Sequence, residues 1–275
     1  MKFKSVFLWL AFLPIFLIPC FINANEPEPV IDNVVDQLKR DLGMMYEYGA
    51  HQRITTTKLD EHGEPKRIEE KSLRTVWVHN KQQNQLVNYS CNEIDTKSGK
   101  SRRCPAVKKV VGKQQKEPKP GKIESEIKKV RWTELHRNFQ FTMLPADGPY
   151  YVISFKPGGN MSPQNRIEKL LCKMGGKVWI DRQFNIVKAE AKLVESVSFG
   201  LGVVAKVHHL GIRYSQQPYR SVWLPSALTV DFKAKVALVH NERQRIEVAW
   251  TGPYRKSDVI WAQAVPMNVS GSTRR

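Results

Sequence analysis

The chain reads as a mainly β (α+β) fold: a curved antiparallel sheet, half-open or closed into a barrel, wrapped around short helices. Three observations predict it. Period-two alternation recurs along most of the length, as where Lys188, Glu190 and Lys192 alternate with Ala189, Ala191 and Leu193. Turn residues punctuate these runs at short intervals, so successive strands follow one another as a meander. Helical spacing is confined to a few stretches. A sheet with one dry face needs cover, and what covers it decides the function.

The elements follow in order. Val30 to Met45 is predicted helical, with Val30, Val34, Val35, Leu38 and Leu42 on one side. Tyr46 to Leu59 is a long strand, and His62-Gly63 turns the chain into a second over Ile68 to His79, where Leu73, Thr75 and Trp77 share a face. Gln85 to Cys91 makes a shorter one. From Asp95 to about Lys129 prolines and lysines break the pattern, which reads as an inserted loop. Trp132, Leu135 and Phe139 then space as a short amphipathic helix.

The stretch from Gly148 to Leu193 is the most informative. Tyr150, Val152 and Ser154 alternate with Tyr151, Ile153 and Phe155 as a strand. Ser162 can cap a helix with Pro163 at its first position. Ile167, Leu170, Leu171 and Met174 form its apolar face, a lid or plug for the sheet, and Gly175-Gly176 stop it. Two strands joined at Arg182–Asn185 follow. Further strands are predicted at Val203 to Tyr214, at Tyr219 to Leu224 (stopped by Pro225), over Leu228 to Leu238 and around Ile246, Val248 and Trp250, for roughly ten in all.

The ends and the charge set bounds. Lys2 and Lys4 precede an apolar run from Val6 to Phe21, and Asn23-Ala24 closes it, the pattern of a secretory signal peptide cleaved after Ala24. A retained anchor is the alternative, opposed by Pro14 and Pro19. Lipidation at Cys20 wants a small preceding residue, where this chain has Pro19. Residues 25–261 then form one domain, and 262–275 lack any period and read as a disordered tail. The full chain carries a net charge of +18. Between Lys97 and Lys129 twelve Lys or Arg face three acids. Such a run is a solvated loop or a contact for an anionic membrane surface. Nucleic acid does not suit an exported chain whose basic run lacks interleaved aromatics.

Cys91 and Cys104 are thirteen positions apart. In an oxidising compartment a disulfide between them is favoured over two separate thiols. Cys172 reads as a packing residue. The chain holds no HExxH, GxSxG, P-loop or dinucleotide glycine fingerprint, and no CxxC. His208-His209 sit next to each other, so on a strand they point to opposite faces and make a poor metal pair. No catalytic residue, metal or cofactor is implied.

Two motifs carry a resemblance: Tyr151-Val152-Ile153-Ser154-Phe155-Lys156-Pro157 before the helix, and Gly176-Lys177-Val178-Trp179-Ile180-Asp181 after it. Gly200-Leu201-Gly202, Trp223-Leu224-Pro225 and Tyr254-Arg255-Lys256 fit the same pattern. On these residues the chain resembles the exported branch of the outer-membrane lipoprotein-sorting superfamily, the LolA/LolB-like fold, over roughly Val30 to Lys256. The resemblance implies a sheet curved around helices, an apolar cavity, and periplasmic carriage of a lipid or acylated lipoprotein without enzymatic chemistry. Trp77, Trp179, Phe199, Leu201, Trp223 and Phe232 are the expected lining residues. A protein-docking regulator of envelope stress on the same fold is the alternative.

Overall fold

Twelve strands pair antiparallel into one sheet. The computed structural model describes residues 47–78, 81–96, 98–104, 138–159, 162–199, 205–236 and 240–255, preceded by 30, 33–34, 36–37, 40–41 and 44; for 76–78, 81–83 and 236 it describes the backbone alone. The strands are β1 (Tyr48–Leu59), β2 (Pro65–Val78), β3 (Lys81–Ile94), β4 (Ser101–Arg103), β5 (Phe139–Asp147) and β6 (Tyr150–Pro157). They continue as β7 (Met174–Ile180), β8 (Ile186–Leu193), β9 (Val197–Phe199), β10 (Ala205–Tyr219), β11 (Val222–Val236) and β12 (His240–Arg255). Their spatial order is β4-β3-β2-β1-β12-β11-β10-β8-β7-β6-β5, with β9 also on β10.

Two meanders are therefore joined at one seam, where β1 lies against β12. Strands β4 and β5 end the path and do not pair with each other among the described residues, so the sheet is open and not a closed barrel. Among the described residues helical structure is sparse. Every described residue from 30 to 44 is helical, and one short helix spans Arg166–Leu171. The expected wrapping of the sheet around several helices is not what these elements make. No helix among the described residues is long and apolar enough to cross a membrane.

Several expectations are corrected. The helix expected from Ser162 through Met174 has six residues. Asn165 caps it, its Oδ1 accepting from the amides of Ile167 at 3.0 Å and Glu168 at 2.9 Å. Glu168 answers by accepting from the amide of Gln164 at 2.7 Å, and this reciprocal capping outcompetes Ser162-Pro163. Met174, Gly175 and Gly176 open β7 instead of ending the helix. Phe139 starts a strand, held by a T-shaped contact with Phe155 at 5.5 Å; Trp132 and Leu135 lie outside the described residues. Pro225 does not stop a strand. It sits inside β11 opposite Gln216 at a register shift, where the missing amide costs the ladder little.

The core lies on one face. A continuous apolar cluster runs from Phe139 and Phe155 through Ile212 and Val230 to Ile246 and Val248, so residues from nearly opposite ends of the strand order share one interior. A second, small cluster joins Tyr48, Val222 and Leu224 with Met44. Cys91 and Cys104 form a disulfide with Cα atoms 5.5 Å apart, fixing the end of β4 to β3. Cys172 is a buried free thiol.

Gly176 marks the tightest approach between strands: a Cβ there would lie 1.9 Å from the carbonyl oxygen of Glu190 on β8. Gly176→Ala must push β7 from β8, and is expected to lower stability by about 2 kcal/mol or more in urea unfolding. An unchanged midpoint would show that the two strands yield freely.

Candidate functional site

Residues directly opposite one another on paired strands project to the same face. Following the register strand by strand therefore draws rows across the concave side of the sheet. One row runs Phe141, Phe155, Gly176, Ala191, Ile212, Val230 and Ile246, from β5 to β12. It crosses the seam and continues as Thr56, Glu69 and Cys91. The next runs Met143, Ile153, Val178, Ala189, Tyr214, Leu228 and Val248, then Ile54, Lys71 and Tyr89.

Both rows change character at the same place. From β5 to β12 they are apolar, Tyr214 apart, and most of their residues are buried. On β1 to β3 they mix apolar, polar and charged side chains, and Ile54, Lys71 and Tyr89 are only half-buried. Leu73 and Leu86, paired on the same face, are half-buried too, as is Trp250 opposite Gln52. Lys71 Nζ lies 6.0 Å from the Tyr89 ring centroid. Four residues back along β2, Arg67 pairs with Glu69 at 2.8 Å and with Glu93 at 3.9 Å. The concave face is thus an apolar floor with a polar, partly cationic margin.

A polar seam crosses the floor. Asp41, on the N-terminal helical residues, is buried and accepts from Gln37 Nε2 at 3.0 Å. Burial pushes its carboxyl up to about 6, with the negative charge of Asp181 adding to the rise. Tyr214 is fully buried, and its hydroxyl accepts from Gln216 Nε2 at 2.9 Å. Burial raises the Tyr214 hydroxyl far above its ordinary range, and the charge of Asp41 raises it further. Val34 of the same helical stretch is fully buried in the core. Among the described residues no group of three or more His, Cys, Asp or Glu is placed to hold a metal ion.

The sequence-predicted lining residues disperse. Phe232 is buried in the core, and Phe199 packs half-buried against it with Lys169 Nζ 5.8 Å from its ring. Trp179 is on the other face: it alternates with buried Val178 and Ile180, donates through Nε1 to Asp147 Oδ2 at 3.0 Å, and stacks under Lys188 at 4.4 Å. Trp223 is half-buried and alternates with buried Val222 and Leu224. Trp77 lies in β2 with only its backbone described, and Leu201 lies outside the described residues. Of the lid residues, Ile167 and Leu170 pack half-buried on the core while Leu171 and Met174 are sealed within it. The lysines from Lys108 to Lys129 lie outside the described residues. Sequence reasoning missed Asp41, Lys71 and Tyr214; Asp41 was open to detection, seven residues after Val34 and so on the same helix side.

No protein-family model matches the chain, and no curated protein matches it. Its likenesses are to solved structures. A DUF1329 family protein from Desulfovibrio piger ATCC 29098 is 9% identical with a TM-score of 0.34, over 86% of this chain and 95% of that one. Lipovitellin, in a structure concerned with its lipid–protein interactions, is 7% identical with a TM-score of 0.30, over 76% of this chain and 25% of that one. The tesB protein of Mycobacterium avium subs paratuberculosis is 8% identical with a TM-score of 0.15, over 92% and 100%. The two motif strands behind the superfamily resemblance do lie side by side, with Tyr151 opposite Ile180 and Phe155 opposite Gly176.

The seam makes stability depend on pH. With its folded value above the ordinary 3.8, Asp41 holds its proton in the folded state while the unfolded chain gives it up. Its contribution therefore falls as pH rises from about 4 to 6, by roughly 3 kcal/mol at most. Asp41→Asn is expected to flatten that slope and to raise the melting temperature at pH 7. A variant melting below wild type at pH 7, with the slope unchanged, would show that the carboxyl is solvated.

Proposed function

We propose that this chain is an exported, non-enzymatic binding protein that carries an acyl group of a lipid or lipoprotein on the concave face of its sheet, in the manner of outer-membrane lipoprotein sorting. The observation that carries this reading is the change along the two concave rows. An acyl chain laid along the half-buried apolar residues Ile54, Leu73, Leu86 and Trp250 gains about 0.8 kcal/mol per buried methylene. A chain of ordinary length then contributes on the order of 10 kcal/mol before ordering costs, ample for a reversible carrier. Its polar end would come to rest among Lys71, Tyr89 and Arg67, where charge is already tolerated. Residues 1–24 would direct the chain to the periplasm and be removed after Ala24.

The half-buried residues at the seam are the ones to test, because they face the floor without carrying the core. Ile54→Glu places a carboxylate in the path of the hydrocarbon and is expected to weaken uptake of a fluorescent fatty acid at least tenfold, with a small change in melting temperature. Native mass spectrometry of wild-type protein from a periplasmic extract should show added mass that organic extraction removes. A ligand-free species that also takes up no fatty acid would overturn the reading.

A further inference from the structure

The convex face carries charges that the fold does not use. Lys206 on β10 lies directly opposite Lys235 on β11. One row along, Lys233 on β11 is flanked by His209 on β10 and Arg243 on β12. Like charges placed directly opposite on neighbouring strands destabilise a sheet. Elsewhere on this face the chain avoids that cost: Asp231 stands between Arg213 at 3.7 Å and Arg245 at 2.7 Å, and Lys188 pairs with Glu190 at 2.8 Å. Asp231 is thereby committed. Arg243 reaches the Asp60–Glu64 turn, but Asp60 already accepts from the amides of His62 and Glu64. Among the described residues no carboxylate lies within salt-bridge distance of Lys206, Lys233, Lys235 or Arg243.

We infer that this cationic ladder is a docking surface for an anionic lipid bilayer. Lys233 and Arg243 are exposed, and Lys206 and Lys235 half-exposed, on the face away from the buried Val207, Ala234 and Gln244, with a register shift between Val207 and His209. A row of cations on a sheet matches a plane of phosphates, whereas a single nucleic-acid strand is held in a groove by stacked aromatics, and no tryptophan, tyrosine or phenylalanine stands in these two rows. Exposed cations in two adjacent rows suit a surface of anionic heads. The inference does not rest on the acyl-binding reading: vesicle binding by a protein that takes up no fatty acid would remove that reading and leave this one.

The test is co-sedimentation with phosphatidylethanolamine vesicles containing about one-quarter phosphatidylglycerol, where each cation near the surface is expected to contribute about fivefold. The variant Lys206→Gln/Lys233→Gln/Lys235→Gln/Arg243→Gln should lose at least a hundredfold in binding, with its melting temperature held or raised because repulsion is relieved. Lys235→Glu supplies an independent check. Facing Lys206, it should raise the melting temperature and weaken vesicle binding together, as no packing role predicts. Wild-type binding by the fourfold variant overturns the proposal. So does loss of binding confined to a variant with Lys108, Lys109, Lys113, Lys116, Lys119 and Lys122 changed to Gln. Wild-type protein that ignores the vesicles but is retained by single-stranded DNA at the same salt also overturns it.

Discussion

Strand register is the constraint on which this molecule depends. Ten strands keep step closely enough for two rows of residues to cross the sheet from Phe141 to Cys91 and from Met143 to Tyr89. The irregularities fall outside those rows, at Ser72/Leu73, Val207/His209, Ser215/Gln216 and Trp179/Ile180 among others. Because side chains alternate with period two, a slip of one residue in β12 would carry Arg245 and Glu247 into the places of Ile246 and Val248. No local rearrangement repairs that. The pairing of β1 with β12, the contact most distant in sequence, is held by eleven residue pairs. Through it the apolar floor built by the C-terminal meander meets the polar margin built by the N-terminal one.

The seam between helix and sheet follows from the same arrangement. Row alternation sends Tyr214 inward among Leu228, Val248 and Ala189, where its hydroxyl needs a partner. Gln216 supplies one from two residues along its own strand, on the same side by the alternation of the strand. Asp41 then enters with the helical residues that seal Val34 into the core. A carboxyl in that position is stable when neutral and strained when ionised, so cover over this part of the floor is weakest at higher pH. Apolar residues would have made a tighter seal.

Much of the sheet was legible because period-two alternation is short-range and each strand declares it alone. Ala189, Ala191 and Leu193 face inward as their spacing says. Other features depended on competition that spacing does not record. Ser162-Pro163 is a sound helix start, yet Asn165 with Glu168 three residues on is a better one. Phe139 fits a helical stripe, but a strand lets it meet Phe155. Trp179 looks like core by residue type, while its alternation with Val178 and Ile180 assigns it to the other face, and parity was the stronger signal. The polar margin was hidden for a related reason. Glu69 and Lys71 read as the wet side of an amphipathic strand, and only cross-strand register shows that they stand in line with Ile246 and Val248.

That alignment constrains what lies on the concave side. A charged ammonium cannot be taken far from water without losing its charge or gaining a close counter-ion. Lys71 and Ile54 are half-buried while Val248, next along the row, is buried, so the dry floor gives way to partial exposure between β12 and β2. Were the whole interior sealed, the row would stay apolar to its end, as it does toward Met143. Were it flooded, Leu228 and Val230 would not be almost completely buried. A boundary between an apolar floor and a mixed polar margin, crossing the sheet along β1, favours a guest that is itself half polar and half hydrocarbon. The convex ladder faces the opposite way, so a molecule lying on a membrane by its cations would keep this boundary turned toward solvent, open to a guest or to another protein.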